Sequence, residues 1–313
     1  MGEPAPRDSA VGLAYGVAAF GWWGVGFAAY LVLLNRQVDP GYVPTLAWAG
    51  EVLAHRVVWS IVVCLGLIAW LGRWSGLIEA VRNRKTRRTL AVTALLITAN
   101  WVCFIYGAAT GRLAEASLGY FINPVVSVFL GMLFLGERLR PLQWVSLAIA
   151  CLGVAHEMAV VGVFPWIAIT VALSFGMYGL LRKKCNAGPV VGLTVETAVI
   201  LPLAVGFLLW QELSGDRLAF TRSGIALDGM LIGLGLATAL PLLWFAAAVS
   251  RLKLGTIGFL QYLAPTGHFA IAVTMNGEPV TPQRLITFGL IWLGVAVFVI
   301  DAVRAKPRVT KTP

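Results

Sequence analysis

Two polar positions interrupt otherwise apolar runs of this chain and lie 141 residues apart: His55, followed by Arg56, and Glu196. An ionisable group inside hydrocarbon costs about 2.5–3.5 kcal/mol on insertion scales, so each is a candidate for handling a solute or an ion. A carboxylate at Glu196 offers a seat for a cationic group or a carrier for a proton. Alternatively it forms an internal ion pair, with Arg56 as the partner. Glu51 lies one helical turn before His55, a spacing at which the two side chains meet. Trp22, Trp23, Trp101, Tyr120, Asn123, Tyr178, Gln261 and Tyr262 complete the set. Tyr120 and Asn123 share one helix face, while Gln261 and Tyr262 are the shifted equivalents of Tyr120 and Phe121. An aromatic wall with a few oriented polar groups is how small-molecule sites are built. Taken singly, any of these aromatics could serve packing or face lipid; on equivalent segments they make a cavity lining. His268 stands alone, a packing residue or a weak proton site.

The chain lacks the marks of other chemistries. No nucleophile stands with a matched base, and no GxxxxGK[ST] run is present to cradle a nucleotide. His55, His156 and His268 are scattered without metal-ligand spacing. Cys64, Cys103 and Cys151 fall within apolar runs as small buried residues, and Cys185 lies in a basic connection. The expectation is a non-enzyme with no catalytic residue, no cofactor and no metal.

The elements that position these residues follow from hydropathy. Hydrophobic residues make up 59% of the chain, charged residues 12%, and the mean hydropathy is +0.83. Residues 9–35, 89–111, 116–136, 158–181, 229–250 and 254–277 carry no charge. Each reaches roughly the ~20 residues needed to cross ~30 Å of hydrocarbon. Residues 51–72, 142–157, 189–211 and 284–300 carry a charge near one end that can snorkel to the headgroups. Ten helices result, and the continuous runs exclude a β-barrel. The net charge of +10 is a matter of topology and not of nucleic-acid binding. With ten alternating helices, 18 of the 24 Lys and Arg fall on one side, among them Arg73, Arg82, Arg138, Arg182, Lys183, Arg251 and Arg304. Positive charge is retained inside during insertion, so both termini are expected in the cytoplasm. No cleavable signal is evident, and the run after Ser9 is expected to remain as the first helix.

The chain is also two copies of one design. Pro124, Gly136, Glu137, Pro141, Leu152, Gly153, Val154 and Ala155 return as Pro265, Gly277, Glu278, Pro282, Leu293, Gly294, Val295 and Ala296. Residues 19–24 and 174–179 are a further match. The halves cover residues 10–155 and 163–300, five helices each, with a basic tail at 301–313. Five is odd, so the second copy enters from the opposite face: an all-α integral membrane protein of two inverted five-helix repeats. Such repeats place a solute site where they meet and give a route to alternating access. Glu137 and Glu278 are expected to cap the helices that follow them. Pro124 and Pro265, mid-helix, are expected to kink. The longer connections, 35–50 with Pro40, Gly41 and Pro44, and 212–226, are expected outside.

His55-Arg56-Val-Val-Trp59-Ser60, Asn100-Trp101, the run from Glu115 to Pro124, Leu135-Gly-Glu137-Arg138, Arg182-Lys183-Lys184, Glu196-Thr197, Gly258-Phe-Leu-Gln261-Tyr262 and Gly277-Glu278 together resemble the RarD branch of the EamA-type permeases. These belong to the drug/metabolite transporter superfamily. The resemblance spans roughly residues 10–302 and implies a ten-helix permease of the inner membrane. Members are commonly labelled chloramphenicol-sensitivity proteins. The family usually carries a Pro and a Lys in the second half of helix one; residues 25–31 here have neither, and the connection to His55 is about ten residues longer. The expected partners are a small-molecule solute, the lipid bilayer, a coupling proton and a second copy of the chain. A receptor or assembly scaffold that transports nothing is the alternative. Proton coupling through Glu196 and simple facilitated passage both remain open.

Overall fold

In hydrocarbon no water is available to pair with a backbone N–H or C=O, so a continuous apolar chain satisfies these groups within helices. The computed structural model describes residues 6–38, 45–110, 112–162, 164–214 and 218–304. Pro40, Gly41 and Pro44, and the tail beyond 304, lie outside the described residues. The described elements are α1 (Pro6–Gly21), a π-helical stretch (Trp22–Phe27), α2 (Ala28–Asn35), α3 (Leu46–Trp70), α4 (Trp74–Arg82), α5 (Arg84–Ala109), α6 (Leu113–Leu135) and α7 (Pro141–Val161). They continue with α8 (Trp166–Lys184), α9 (Pro189–Leu213), α10 (Ile225–Arg251), α11 (Leu254–Gln261), α12 (Leu263–Asn276) and α13 (Pro282–Arg304). Among the described residues eight helical stretches are long and apolar enough to cross a membrane. α8 carries three basic residues in its last turn, and the run 254–276 is broken into α11 and α12.

That break has a local cause. Pro265 has no N–H to give the carbonyl of Gln261, and its ring crowds the same turn, so the helix parts at Gln261–Tyr262. Pro124 occupies the equivalent position in α6, which nevertheless stays helical from Leu113 to Leu135. The expected kink is thus a break in one copy only. α4 was not anticipated: at nine residues it is too short to stand out in hydropathy. Its Leu77 and Ala80 pack on Ile68, Leu90, Val191 and Val195, leaving Glu79 and Arg82 outside. α6 and α12 both end on a glycine in the left-handed region, Gly136 (φ 64°) and Gly277 (φ 67°). Glu137 N–H then returns to Gly131 O, and Glu278 N–H to Ala272 O. The two turns are the same motif 141 residues apart.

Packing joins elements from the two halves of the sequence. α3 lies against α9 and α10, α6 against α8 and α11, α5 against α8 and α9, α1 against α10, and α7 against α13. Contacts also sort the connections into two ends of the bundle. At one end Arg140 pairs with Asp301, and Lys183 Nζ donates to the carbonyls of Val249 and Leu252. At the other, Glu51 accepts from Ala219 N and Phe220 N, and Arg36 donates to Met275 O. Between the ends, large apolar side chains such as Leu95 (58% exposed), Leu133 (76%) and Leu203 (65%) point outward. Apolar surface on that scale suits lipid.

The first helix meets α12 at its π-helical stretch. There a Cβ on Gly267 would lie 2.5 Å from the Gly24 carbonyl carbon, and one on Gly24 would lie 2.8 Å from Leu263 O. Both positions need glycine because backbone meets backbone. His268 Nε2 donates to Trp23 O at 3.1 Å across the same crossing. Gly267→Leu should therefore lower thermal stability in detergent by the equivalent of about 1–3 kcal/mol. Gly21→Ala, where nothing lies within 4 Å, should leave it within about 0.5 kcal/mol. Equal melting of the two variants would contradict this close crossing.

Candidate functional site

A narrow cleft with about 20 Å³ of free space, little more than room for one water, lies among α3, α5, α8, α9 and α10. Its polar lining is Arg56, Ser60, Glu196, Thr197 and Thr238, and its aromatic lining is Trp101 and Tyr178. Val57, Ile97, Leu193, Ile200 and Leu242 make the remainder apolar. Four of the residues singled out from sequence therefore share one cavity: Arg56, Trp101, Tyr178 and Glu196.

Arg56 reaches into the cleft from α3. Its Cζ lies 4.4 Å from the Trp101 ring centre and 4.8 Å from that of Phe27, so two aromatic rings flank the guanidinium. Its Nε donates to Thr238 Oγ1 at 3.1 Å. The hydroxyl ties this arginine to α10 and fixes the direction of its head.

Glu196 does not pair with Arg56. Its Oε1 lies 3.6 Å from Arg182 Nε and accepts from Thr93 Oγ1 at 2.6 Å. Tyr178 Oη donates to Oε2 at 3.4 Å. Arg182, in sequence one of three adjacent basic residues at a helix end, is 5% exposed. Residues 185–188 turn α8 directly into α9, which sets Arg182 beside the first turns of α9. Gly192, one turn before Glu196, supplies the room. A Cβ there would lie 1.9 Å from Arg182 Nη1 and 2.7 Å from Cζ. The signal in the sequence was Gly192 and Glu196 on one face, facing an arginine across a tight connection. Thr93, Ser60, Thr197 and Thr238 were missed because hydroxyls in apolar helices usually bond only their own backbone.

The other candidates have different surroundings. His55 Nδ1 accepts from Trp59 Nε1 at 3.1 Å, its ring lies 4.7 Å from that of Phe220, and Glu51 Oε1 is 4.0 Å away. Trp22 Nε1 donates to Ala237 O. Trp23 belongs to an aromatic cluster with Phe20, Phe175 and Phe245. Tyr120 packs between Phe104 and His268. Asn123 is buried against α8 near Gly176, and Gln261 Nε2 donates to Ser127 Oγ. Tyr262 lines a separate crevice with Pro124, Val128 and Phe259. None of these seven is among the residues lining the cleft.

The two repeated glutamates differ as well. Glu137 accepts from Leu254 N at 2.7 Å and Gly255 N at 2.9 Å, so it caps α11 and not the α7 that follows it. α7 is capped locally, Arg140 N donating to Gln143 Oε1. Glu278 binds Arg284 Nη1 at 2.7 Å and stays 41% exposed. Among the described contacts it does not reach Leu113 and Ala114, the equivalents of Leu254 and Gly255 at the start of α6.

Removing one member of a buried ion pair strands the other charge. Glu196→Gln or Arg182→Met alone should cost about 3–5 kcal/mol of stability. The double variant Arg182→Met, Glu196→Gln should regain most of that loss in detergent melting. Additive losses would show that the two side chains do not act as a pair.

Comparison with known proteins gives the family of the chain. Residues 10–156 match the model of the EamA-like transporter family. An uncharacterized transporter of Vibrio cholerae is 40% identical over 303 residues, covering 96% of each chain. Protein RarD of Escherichia coli K12 is 39% identical over 305 residues, covering 97% of this chain and 99% of its own. A Pseudomonas aeruginosa relative described as chloramphenicol-sensitive protein RarD is 35% identical over 85% of this chain and 90% of its own. A solved crystal structure aligns with TM-score 0.65 at 18% identity, covering 95% of this chain and 99% of that one, a likeness of fold. With apolar helices long enough to cross a bilayer and relatives alike over nearly their full length, the chain belongs to the EamA-like transporter family as a RarD-type permease of the drug/metabolite transporter superfamily, a multi-pass membrane protein.

Proposed function

We propose that the protein is a secondary transporter that moves a small metabolite or drug-like solute across the cytoplasmic membrane by alternating access. Its parts are two inverted five-helix repeats, residues 10–155 and 163–300, making ten crossings. The observation that carries this reading is the unequal state of two equivalent contacts. Glu137 closes on the start of α11, whereas Glu278 binds Arg284 and not the equivalent start of α6. An inverted repeat allows each half to adopt the other's conformation, so the opposite state would release Glu137 and seat Glu278 on Leu113 and Ala114. The packing pattern supports the symmetry. α3 meets α9, α6 meets α11 and α7 meets α13, each a pair of equivalent helices. α1 on α10 likewise mirrors α8 on α5.

The end bearing residues 71–83, 136–140 and 182–188 is assigned to the cytoplasm, with both termini, because the basic residues gather there. The Glu137 contact then seals the inner side. A link to chloramphenicol sensitivity is carried by the name of the Pseudomonas aeruginosa relative and extends to this chain as part of the proposal.

Proton coupling through Glu196 is less favoured than passage down the solute gradient. Protonating Glu196 would leave Arg182 buried without its counter-charge, a costly step. In liposomes containing the purified protein, a candidate solute should equilibrate without accumulating when a pH gradient is imposed. Accumulation that Glu196→Gln abolishes would establish coupling instead. No uptake or exchange of any solute that binds would favour a receptor or scaffold. A cysteine introduced at Ser223, between α9 and α10, should react with an impermeant thiol reagent from outside the cell.

A further inference from the structure

We propose that the cleft receives its solute through an anionic group, a carboxylate or similar oxyanion seated on Arg56. The inference rests on the transport reading only in treating that ligand as cargo; the anion seat itself stands on the charges of the cleft. The lining holds two ionisable groups of opposite sign, Arg56 and Glu196. Glu196 is already matched. Arg182 stands 3.6 Å away, and Thr93 and Tyr178 both donate to it. Its role as a seat for a cation is therefore taken up by the protein itself.

Arg56 is not matched. Among the described residues no carboxylate lies within 4.0 Å of it, and its one hydrogen bond runs from Nε to Thr238 Oγ1. The acids on α3 and α10 are bonded to backbone. Glu51 accepts from the backbone of Ala219 and Phe220, and Asp228 accepts from Thr221 N. The fully enclosed nitrogens that lack a partner include those of Arg182 but none of Arg56, so the Arg56 terminal N–H groups open onto the cleft. Phe27 and Trp101 flank the guanidinium, and a flanked fork with free N–H edges suits bidentate contact with an oxyanion. Ile97, Leu193, Ile200 and Leu242 line the cleft beside it, an apolar wall that would face the rest of the solute once the cleft widens to admit it. An amphipathic organic anion fits both features; a cation would meet an uncompensated positive charge.

The test uses the purified full-length chain in phospholipid-free dodecylmaltoside, with tryptophan fluorescence and thermal shift as readouts. The probes are phenylacetate, phenyl phosphate, phenylacetamide and phenethylamine, which share an aryl body and differ in charge. At least one anion should bind roughly ten- to hundredfold more tightly than the amide, the amine being weakest. Arg56→Gln should remove the anion's advantage and leave the amide unchanged, and Arg56→Lys should keep part of it. If Arg56→Gln does not fold, Thr238→Val frees the guanidinium from its anchor and should weaken the anion severalfold without affecting the amide. Equal binding of anion and amide, tightest binding by the amine, or no binding of either anion at millimolar concentration would overturn the proposal. So would an anion preference that survives Arg56→Gln. Added phosphatidylglycerol, but not phosphatidylcholine, displaces phenylacetate if the natural oxyanion is a lipid headgroup; no displacement assigns the seat to a soluble anion. Uptake separates this inference from the transport reading. Anion binding without uptake of labelled anion rejects transport and keeps the seat. Uptake of neutral solutes that is indifferent to Arg56→Gln does the reverse.

Discussion

A charge removed from water must find its counter-charge inside the protein, and the pair Arg182–Glu196 meets that constraint at the centre of this structure. Both side chains are almost wholly enclosed, and their pairing locks the ends of α8 and α9 together beside the cleft. Thr93 carries the same cluster to α5, and Tyr178 brings in the aromatic stack on Phe245. The geometry depends on a missing atom, since any side chain at Gly192 would occupy the space of the guanidinium. Because Glu196 is engaged by this cluster, Arg56 is left as the open charge of the cavity. The chemistry of the cleft is set by which of two arginines found the glutamate.

The same economy of pairing explains how helices from the two halves are held. Glu137 satisfies two backbone N–H groups at the start of α11, donors that have no partner within their own helix. Asn100 fixes α5 to α8 by donating to Val171 O and Ser174 Oγ. Ser146 Oγ donates to Gly294 O between α7 and α13, a contact that the small residues at Gly153 and Gly294 make reachable. These are contacts of one or two hydrogen bonds between packed helices, and each can be exchanged for water at a helix end more readily than in the centre. The end contacts are therefore the ones suited to opening, and the central ones to holding register.

Hydropathy made most of the helices legible, because runs as long and as apolar as residues 225–251 have few other ways to satisfy their backbone. The doubling of the Pro–Gly–Glu pattern gave the matched turns at Gly136 and Gly277, which need glycine for their left-handed backbone. The pairings were less visible. In sequence Arg182 is one of the basic residues of the cytoplasmic side beside Lys183 and Lys184, and sequence does not say which of three adjacent cations turns inward. Pro124 and Pro265 are the same residue in the same repeat position, yet only the second breaks its helix. Gly258 packs against the carbonyl of Pro124, so α11 supports the first proline in a way that nothing local could reveal. Of the aromatic candidates, Trp101 and Tyr178 reached the cleft, while Trp23, Tyr120 and Tyr262 went to ring clusters elsewhere. A helix of this composition is apolar on every side, and periodicity alone does not tell which side faces a cavity.

The central claim is that the two ends of the bundle open in turn, driven by equivalent contacts of opposite state. Pulsed electron–electron distance measurement tests it directly, with spin labels at Arg138 and Lys253 at one end and at Leu113 and Val280 at the other. The account predicts two populations in liposomes, with a short distance at one end always accompanied by a long distance at the other. Glu137→Ala should shift the balance toward separation of Arg138 from Lys253 and approach of Leu113 to Val280. Distances that stay fixed at both ends, or that lengthen together when Glu137 is removed, would contradict it.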